Sequence, residues 1–128
     1  MSVTDPRNLN EHYNELFRKG DLEGLSCLYE EDAVLCPAPG QEVRGRAQIR
    51  KRLSDLIALQ GDLSTSEQSC VEFENLALLH ARWHFVGVTD DGRPIRMGGT
   101  SSKLARRGPD GVWRYVLDMP AGGIKPQA

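Results

Sequence analysis

The chain has 128 residues, 39% of them hydrophobic and 27% charged, with a formal net charge of −2. These proportions describe one ordinary globular domain, 1–128, with enough chain for a single core. No apolar run approaches the roughly 18 residues of a membrane span, and the near-neutral charge gives no reason to expect a nucleic-acid or membrane partner.

The first stretch, Met1 to Tyr13, is polar and lacks the apolar segment of a signal peptide, so a cytoplasmic location is the default expectation. Thr4-Asp5-Pro6 is a helix start, with a capping side chain followed by proline in the first turn. Leu9, Tyr13, Leu16 and Phe17 then recur on one helical face. Arg18 and Lys19 suit the last turn, and Gly20 ends it. Asp21 caps a second, short helix that turns Leu22, Leu25, Leu28 and Tyr29 inward. Ala33 to Cys36 reads as a brief strand, stopped by Pro37-Ala38-Pro39-Gly40.

Gly45 precedes a third helix with an apolar stripe of Ile49, Leu53, Leu56 and Ile57. Its basic run, Arg46, Arg50, Lys51 and Arg52, reads as the solvated back of that helix rather than as a phosphate site. From Asp62 onward the pattern is that of strands. Val71 and Phe73 alternate with Cys70, Glu72 and Glu74, and Asn75 makes a turn.

Leu76 to Thr89 reads as one long strand. At period two, Leu79, Ala81, Trp83 and Phe85 share one face; His80, Arg82, His84, Val86 and Val88 share the other. Asp90-Asp91-Gly92 signals a hairpin. Pro94 to Arg106 is the next strand, and its Gly98-Gly99 pair suggests a bulge or sharp bend. Gly108-Pro109-Asp110-Gly111 turns again into a last strand, Val112 to Met119. Residues 121–128 read as a loose tail. Helices first and an antiparallel meander later give an α+β class, with helices on one face of a bent sheet.

Cys27, Cys36 and Cys70 are an odd count without a CxxC pair, which argues against a disulfide framework or a structural zinc and for small buried hydrophobes. His80 and His84 are four residues apart, but on a strand that separation is about 13 Å. They cannot share a zinc whose bonds are about 2.0–2.1 Å, so no metal is expected. Gly98-Gly99 lacks the helix and lysine of a phosphate loop. No cofactor is expected.

Four segments resemble the nuclear transport factor 2-like superfamily, which includes the ketosteroid isomerases and the polyketide cyclase-like (SnoaL-like) proteins. They are Tyr13 with Gly20-Asp21-Leu22-Glu23-Gly24-Leu25; Leu28 to Val34; Val43 to Ile49; and Asp110 to Pro120. The last looks like the ending of bacterial ketosteroid isomerase homologues of unassigned reaction. The resemblance implies a cone: a strongly curved, mixed or antiparallel sheet wrapped around the N-terminal helices, cystatin-like, with an apolar cavity between them. It also implies a homodimer packed through the outer sheet face.

By that resemblance the cavity takes His84, Val86 and Val88 on the long strand and Val116 and Asp118 on the last. Phe17, Arg82, Thr100 and Ser102 join the lining. Trp83 and Phe85 then face a partner subunit, which inverts the face read from polarity alone. Tyr13 matches the isomerase tyrosine that donates to a developing enolate. The isomerase base falls at Pro37 and its second donor near Thr100 to Ser102, where no carboxylate stands. The resemblance therefore implies a small-molecule-binding cone for a small, mostly apolar ligand. If it does chemistry, that chemistry is cofactor-free acid–base work, of isomerase, cyclase or hydratase type, by Asp118 with His84 and Tyr13. A non-catalytic ligand-binding or oligomerisation module, of the kinase association-domain type, is the alternative.

Overall fold

The computed structural model describes residues 2–122. A short 3₁₀ turn, Pro6–Asn8, opens the chain; the Asp5 carboxylate accepts from the Arg7 backbone N–H and holds it. Three helices follow: α1 (Leu9–Lys19), α2 (Leu22–Ser26) and α3 (Arg46–Ile57). Gly20 ends α1 in the left-handed conformation at φ 69°, a geometry that favours glycine. Asp21 Oδ1 accepts from the Gly24 N–H at 2.9 Å and starts α2 within two residues of that stop.

The six strands are β1 (Tyr29–Leu35), β2 (Val43–Arg44), β3 (Asp62–Phe73), β4 (Leu76–Val88), β5 (Pro94–Arg107) and β6 (Trp113–Met119). They form one sheet in the order β2-β1-β6-β5-β4-β3. Only β1 and β6 run parallel; every other neighbouring pair is antiparallel. The α+β class and the meander β3 to β6 agree with the sequence reading. The first strand starts earlier than expected, because Tyr29 pairs with Tyr115 and is buried in the core rather than ending the second helix. The two-residue β2 is too short to leave a periodic signal.

Helix α1 packs across the concave side of the sheet. Leu9, Tyr13 and Phe17 meet Leu79, Phe85 and Tyr115 in the core, joined by Leu25, Ile49 and Leu53 of the other helices. Burying one such aliphatic or aromatic side chain is worth about 1.5–3 kcal/mol.

The faces of β4 follow polarity and not the resemblance. Ala77, Leu79, Ala81 and Phe85 are buried and Trp83 is half-buried, so this row faces the helices. His80, Arg82, His84, Val86 and Val88 are exposed on the convex side. Phe85 cannot turn outward because its ring fills a slot between two glycines. A Cβ on Gly61 would stand 2.2 Å from Phe85 Cζ, and one on Gly87 would stand 2.8 Å from Cε1. The expectation that Trp83 and Phe85 cover a subunit interface is therefore corrected.

The Gly98-Gly99 pair makes no bulge, since β4 and β5 stay in continuous register through Trp83↔Gly99 and His84↔Gly98. Gly99 instead leaves room for the Trp83 indole, whose Nε1 donates to the Pro120 carbonyl at 2.8 Å. The extra residues occur at Ser66 in β3 and Val116 in β6. Cys36 and Cys70 are half-buried and Cys27 is exposed, so the thiols are less enclosed than expected. Residues 121–122 form a turn, with the Gly122 N–H on the Met119 carbonyl at 3.1 Å; the remainder of the expected loose tail lies outside the described residues. No described helix is long and apolar enough to cross a membrane.

Candidate active site

Between α1, α3 and the concave face lies a cavity of about 220 Å³. Helix α1 contributes Asn10, Tyr13, Asn14 and Phe17; α3 contributes Arg52, Leu53 and Leu56; the sheet contributes Leu63, Thr65, Ala81, Trp83, Phe85, Met97, Ser101, Lys103 and Asp118. The lining is mainly apolar, and its two buried charged groups, Lys103 and Asp118, stand together. A benzene-sized molecule fits a cavity of about 150 Å³, and drug-sized ligands occupy about 300–1,000 Å³. The space here suits one substituted ring or a short chain.

The polar group at the closed end is built on facing positions of β5 and β6, where Lys103 pairs with Asp118. Their side chains, 10% and 4% exposed, place Nζ 3.9 Å from Asp118 Oδ2. The Tyr29 hydroxyl donates to the same oxygen at 2.5 Å. Asp118 Oδ1 is buried with no hydrogen-bond partner among the described residues. A buried acceptor left open costs about 1–3 kcal/mol, so a ligand that brings a donor to this oxygen gains by doing so.

The Lys103 ammonium also sits over two aromatic faces, 4.6 Å from the Tyr13 ring centre and 4.5 Å from that of Tyr115. Such contacts reach about 2 kcal/mol when desolvated. Burial pulls the amine below the usual lysine range, and the Asp118 charge opposes that pull. Burial, and secondly the Asp118 charge, raise the hydroxyls of Tyr13, Tyr29 and Tyr115 above the ordinary phenol range, so all three keep their protons at neutral pH. The Tyr115 hydroxyl donates to Asn10 Oδ1 at 2.7 Å, Asn10 Nδ2 to Gln68 Oε1 at 3.3 Å, and Gln68 Nε2 to the Arg7 carbonyl at 2.9 Å. This chain fixes the Tyr115 ring beneath the amine.

Of the expected site residues, the fold brings Tyr13, Phe17 and Asp118 to the cavity. It places the others elsewhere. His84 is exposed on the convex face, with Nε2 3.2 Å from Ser66 Oγ, and does not meet Asp118. Arg82, on the same face, pairs with Glu67 at 3.1 Å. Val86 and Val88 are 47% and 49% exposed. Thr100 and Ser102 pair with Arg82 and His80 and so share their outward face; Ser101, between them, is the buried hydroxyl. Val116 is the extra residue of the β6 bulge and lies outside the lining. That bulge brings Tyr115 and Asp118, three apart, to the same side.

Lys103, Tyr29, Tyr115 and Asn10 were not expected at the site. A signal for Lys103 exists: it is two residues from Ala105 and from Ser101, and all three are buried on one face of β5. Asn10 and Asn14 share the inner face of α1 with Tyr13 and Phe17, but polar residues are invisible to an apolar periodicity. The basic run of α3 divides. Arg46 donates to the Tyr29 carbonyl at 2.6 Å and Arg50 Nε to Glu23 at 2.7 Å, while Arg52 stands at the cavity rim.

Comparison with known proteins places this geometry in a wider set. The SnoaL-like domain family matches residues 10–102. No curated protein matches. A nuclear transport factor 2-like superfamily protein from Salmonella enterica serovar Typhimurium superposes with a TM-score of 0.79 at 20% identity, covering 94% of this chain and 90% of that one. A proposed dehydratase of the same family from Streptomyces avermitilis gives 0.73 at 17% identity, with 88% and 92% covered. A proposed calcium/calmodulin dependent protein kinase II association domain from Xanthomonas campestris gives 0.80 at 15% identity, with 94% and 86% covered. These likenesses establish the cystatin-like cone fold.

Proposed function

This chain belongs to the SnoaL-like domain family, within the nuclear transport factor 2-like superfamily, and from that premise we propose that it binds a small, largely apolar carbonyl compound and moves a proton on it. The reaction class is cofactor-free acid–base chemistry, of isomerase, cyclase or dehydratase type. The observation that carries this reading is the buried Asp118, with one oxygen held by Tyr29 and the other open, at the end of an apolar cavity.

Asp118 is the proton acceptor and donor in this scheme. Lys103, 3.9 Å away, offsets negative charge that develops on the substrate oxygen. Tyr13, still protonated at neutral pH, is a second donor toward that oxygen. His84 has no part in it. The cavity volume favours one ring over a fused polycycle. The neighbour proposed to be a dehydratase has the same fold, which is compatible with this class but does not select the reaction.

The reading is tested by thermal unfolding against a panel of monocyclic ketones and enones. A ligand at about 100 times its Kd adds about 2.7 kcal/mol to stability. Ala81→Leu, which fills the cavity, abolishes that gain under this reading. If the panel stabilises both proteins equally, binding lies elsewhere and the reading fails.

A second reading, an assembly module, has its own observation. On the convex face Val71, Leu78, Leu104, Leu117 and Val34 fall in direct register across five strands. Val71 and Leu78 are 67% and 46% exposed, and Phe73 beside them is 70% exposed. Such a row is suited to a second copy of the chain. We therefore assign the homodimer to this row rather than to Trp83 and Phe85. Dimerisation is compatible with the cavity chemistry; a large ring without ligand binding would favour assembly alone.

A further inference from the structure

The chain has four lysines, at 19, 51, 103 and 125. Lys19 and Lys51 are exposed, whereas Lys103 is 9% exposed and lines the cavity. Asp118 Oδ2 is 3.9 Å from its Nζ, just beyond direct hydrogen-bonding reach. The Tyr13 and Tyr115 ring faces flank the same nitrogen. Proton-transfer chemistry needs only a positive charge at this position. The surroundings equip the amine for more.

We infer that Lys103 is a nucleophile that captures a small aldehyde or ketone in the cavity as an imine, with Asp118 as its proton shuttle. The inference rests on the carbonyl-binding reading above but not on proton-transfer turnover. Three observations support it. The nitrogen is removed from bulk water, and burial favours its neutral form; a desolvated lysine in an apolar pocket is the standard form of a carbonyl-capturing amine. A carboxylate stands within one small side-chain shift of it, able to take the proton that must leave. The flanking rings, finally, stabilise the product as they do the reactant, because ammonium and iminium put the same charge at the same place.

The step balances without an oxidant or reductant. The Lys103 ammonium gives one proton to Asp118. The freed lone pair attacks the carbonyl carbon, the carbon–nitrogen bond forms, and the carbonyl π pair moves to oxygen, which takes the proton back from Asp118. The carbinolamine, protonated on nitrogen, then transfers one of its two N–H protons to its hydroxyl through Asp118 and expels water. The iminium that remains carries the one positive charge the ammonium carried.

The test is reductive trapping of the intact protein with benzaldehyde and sodium cyanoborohydride, read by peptide mass mapping. The hydride converts any imine to a stable benzylamine. The expected result is labelling of Lys103 at least about tenfold faster than of Lys19 or Lys51, with the preference lost in denaturant. Lys103→Arg keeps a cation over the two rings but cannot form the imine, so it should lose the fast-labelled site. If Lys103 is labelled no faster than Lys19 and Lys51, the inference is overturned. That outcome leaves carbonyl binding to be judged separately, by ketone-induced thermal stabilisation of the wild type against Ala81→Leu. Trapping at Lys103 without any proton exchange in substrate would uphold the imine and remove the acid–base turnover.

Discussion

Lys103 and Asp118 are cross-strand partners on β5 and β6, and their charged atoms stand 3.9 Å apart in a place nearly closed to solvent. An exposed pair at that distance contributes little. A buried one is different: each ion gives up several kcal/mol of hydration, and losing one partner leaves the other uncompensated. The Tyr29 hydroxyl and two tyrosine faces help keep this pair in place.

Tyr29→Phe should therefore destabilise the fold by about 1.5–3 kcal/mol, the range for a hydrogen bond to a charged group. It removes the 2.5 Å bond to Asp118 Oδ2 and keeps the aromatic ring. Urea unfolding measures it as a lower midpoint with an unchanged slope.

The three tyrosines of the chain, Tyr13, Tyr29 and Tyr115, are all buried. Their folded-state pKa values lie above the ordinary 10.0, burial being the main cause. Their stabilising contribution is thus fully present below pH 10 and lost as pH rises through the raised values. Near-ultraviolet titration of the folded protein should show little tyrosinate at pH 10, then a cooperative rise with unfolding at higher pH. A gradual rise centred on pH 10 with the fold intact would contradict the burial. Lys103 acts in the opposite sense in a lower window. Its folded pKa is depressed below the ordinary 10.5, so its cost to stability is relieved as pH climbs toward that value. Lys103→Met should flatten the rise of stability with pH below 10.5 relative to wild type.

Leu78→Asp places a charge within the apolar row on the convex face, between Val71 and Leu104. Sedimentation should find the wild type as a dimer and this variant as a monomer with unchanged circular dichroism. A monomeric wild type at micromolar concentration would remove the dimer assignment.

Gly61→Ala tests the slot that holds Phe85 inward. The new methyl would lie 2.2 Å from the ring and 2.7 Å from the Val86 carbonyl, and the backbone atom cannot swing aside. A loss of about 1–3 kcal/mol is expected, typical of overpacking, together with weaker cavity binding as the ring moves. A calorimetric scan with and without ketone separates the two effects.

Much of the fold was legible because its signals are local. Proline and Asp5 start the first turn, Gly20 stops α1, and Asp90-Asp91-Gly92 turns β4 into β5, each through chemistry within a few residues. Alternation in β4 also named the inner row correctly, as Leu79, Ala81, Trp83 and Phe85. The resemblance inverted that row and with it the place of His84. Polarity was the better guide because Phe85 and Trp83 each have a glycine opposite to receive them. The site itself was harder to read. Asp118 reaches the cavity only through the bulge at Val116, and strict alternation from Tyr115 would have turned it out. Lys103 was hidden by its own type, since a lysine on an inner face contradicts the apolar pattern used to find such faces. Asn10 and Asn14 were hidden for the same reason.

The most direct measurement of the central claim is deuterium uptake at the carbon beside the carbonyl of a monocyclic ketone such as cyclohexanone, followed by NMR in heavy water. Wild-type protein should accelerate exchange about 10²–10⁴-fold over buffer, the range of positioned acid–base catalysis. Asp118→Asn, close in shape but without the base, should return it to the buffer rate while still binding ketone. Exchange that is equal in wild type, Asp118→Asn and buffer, with the ketone bound, would contradict the account.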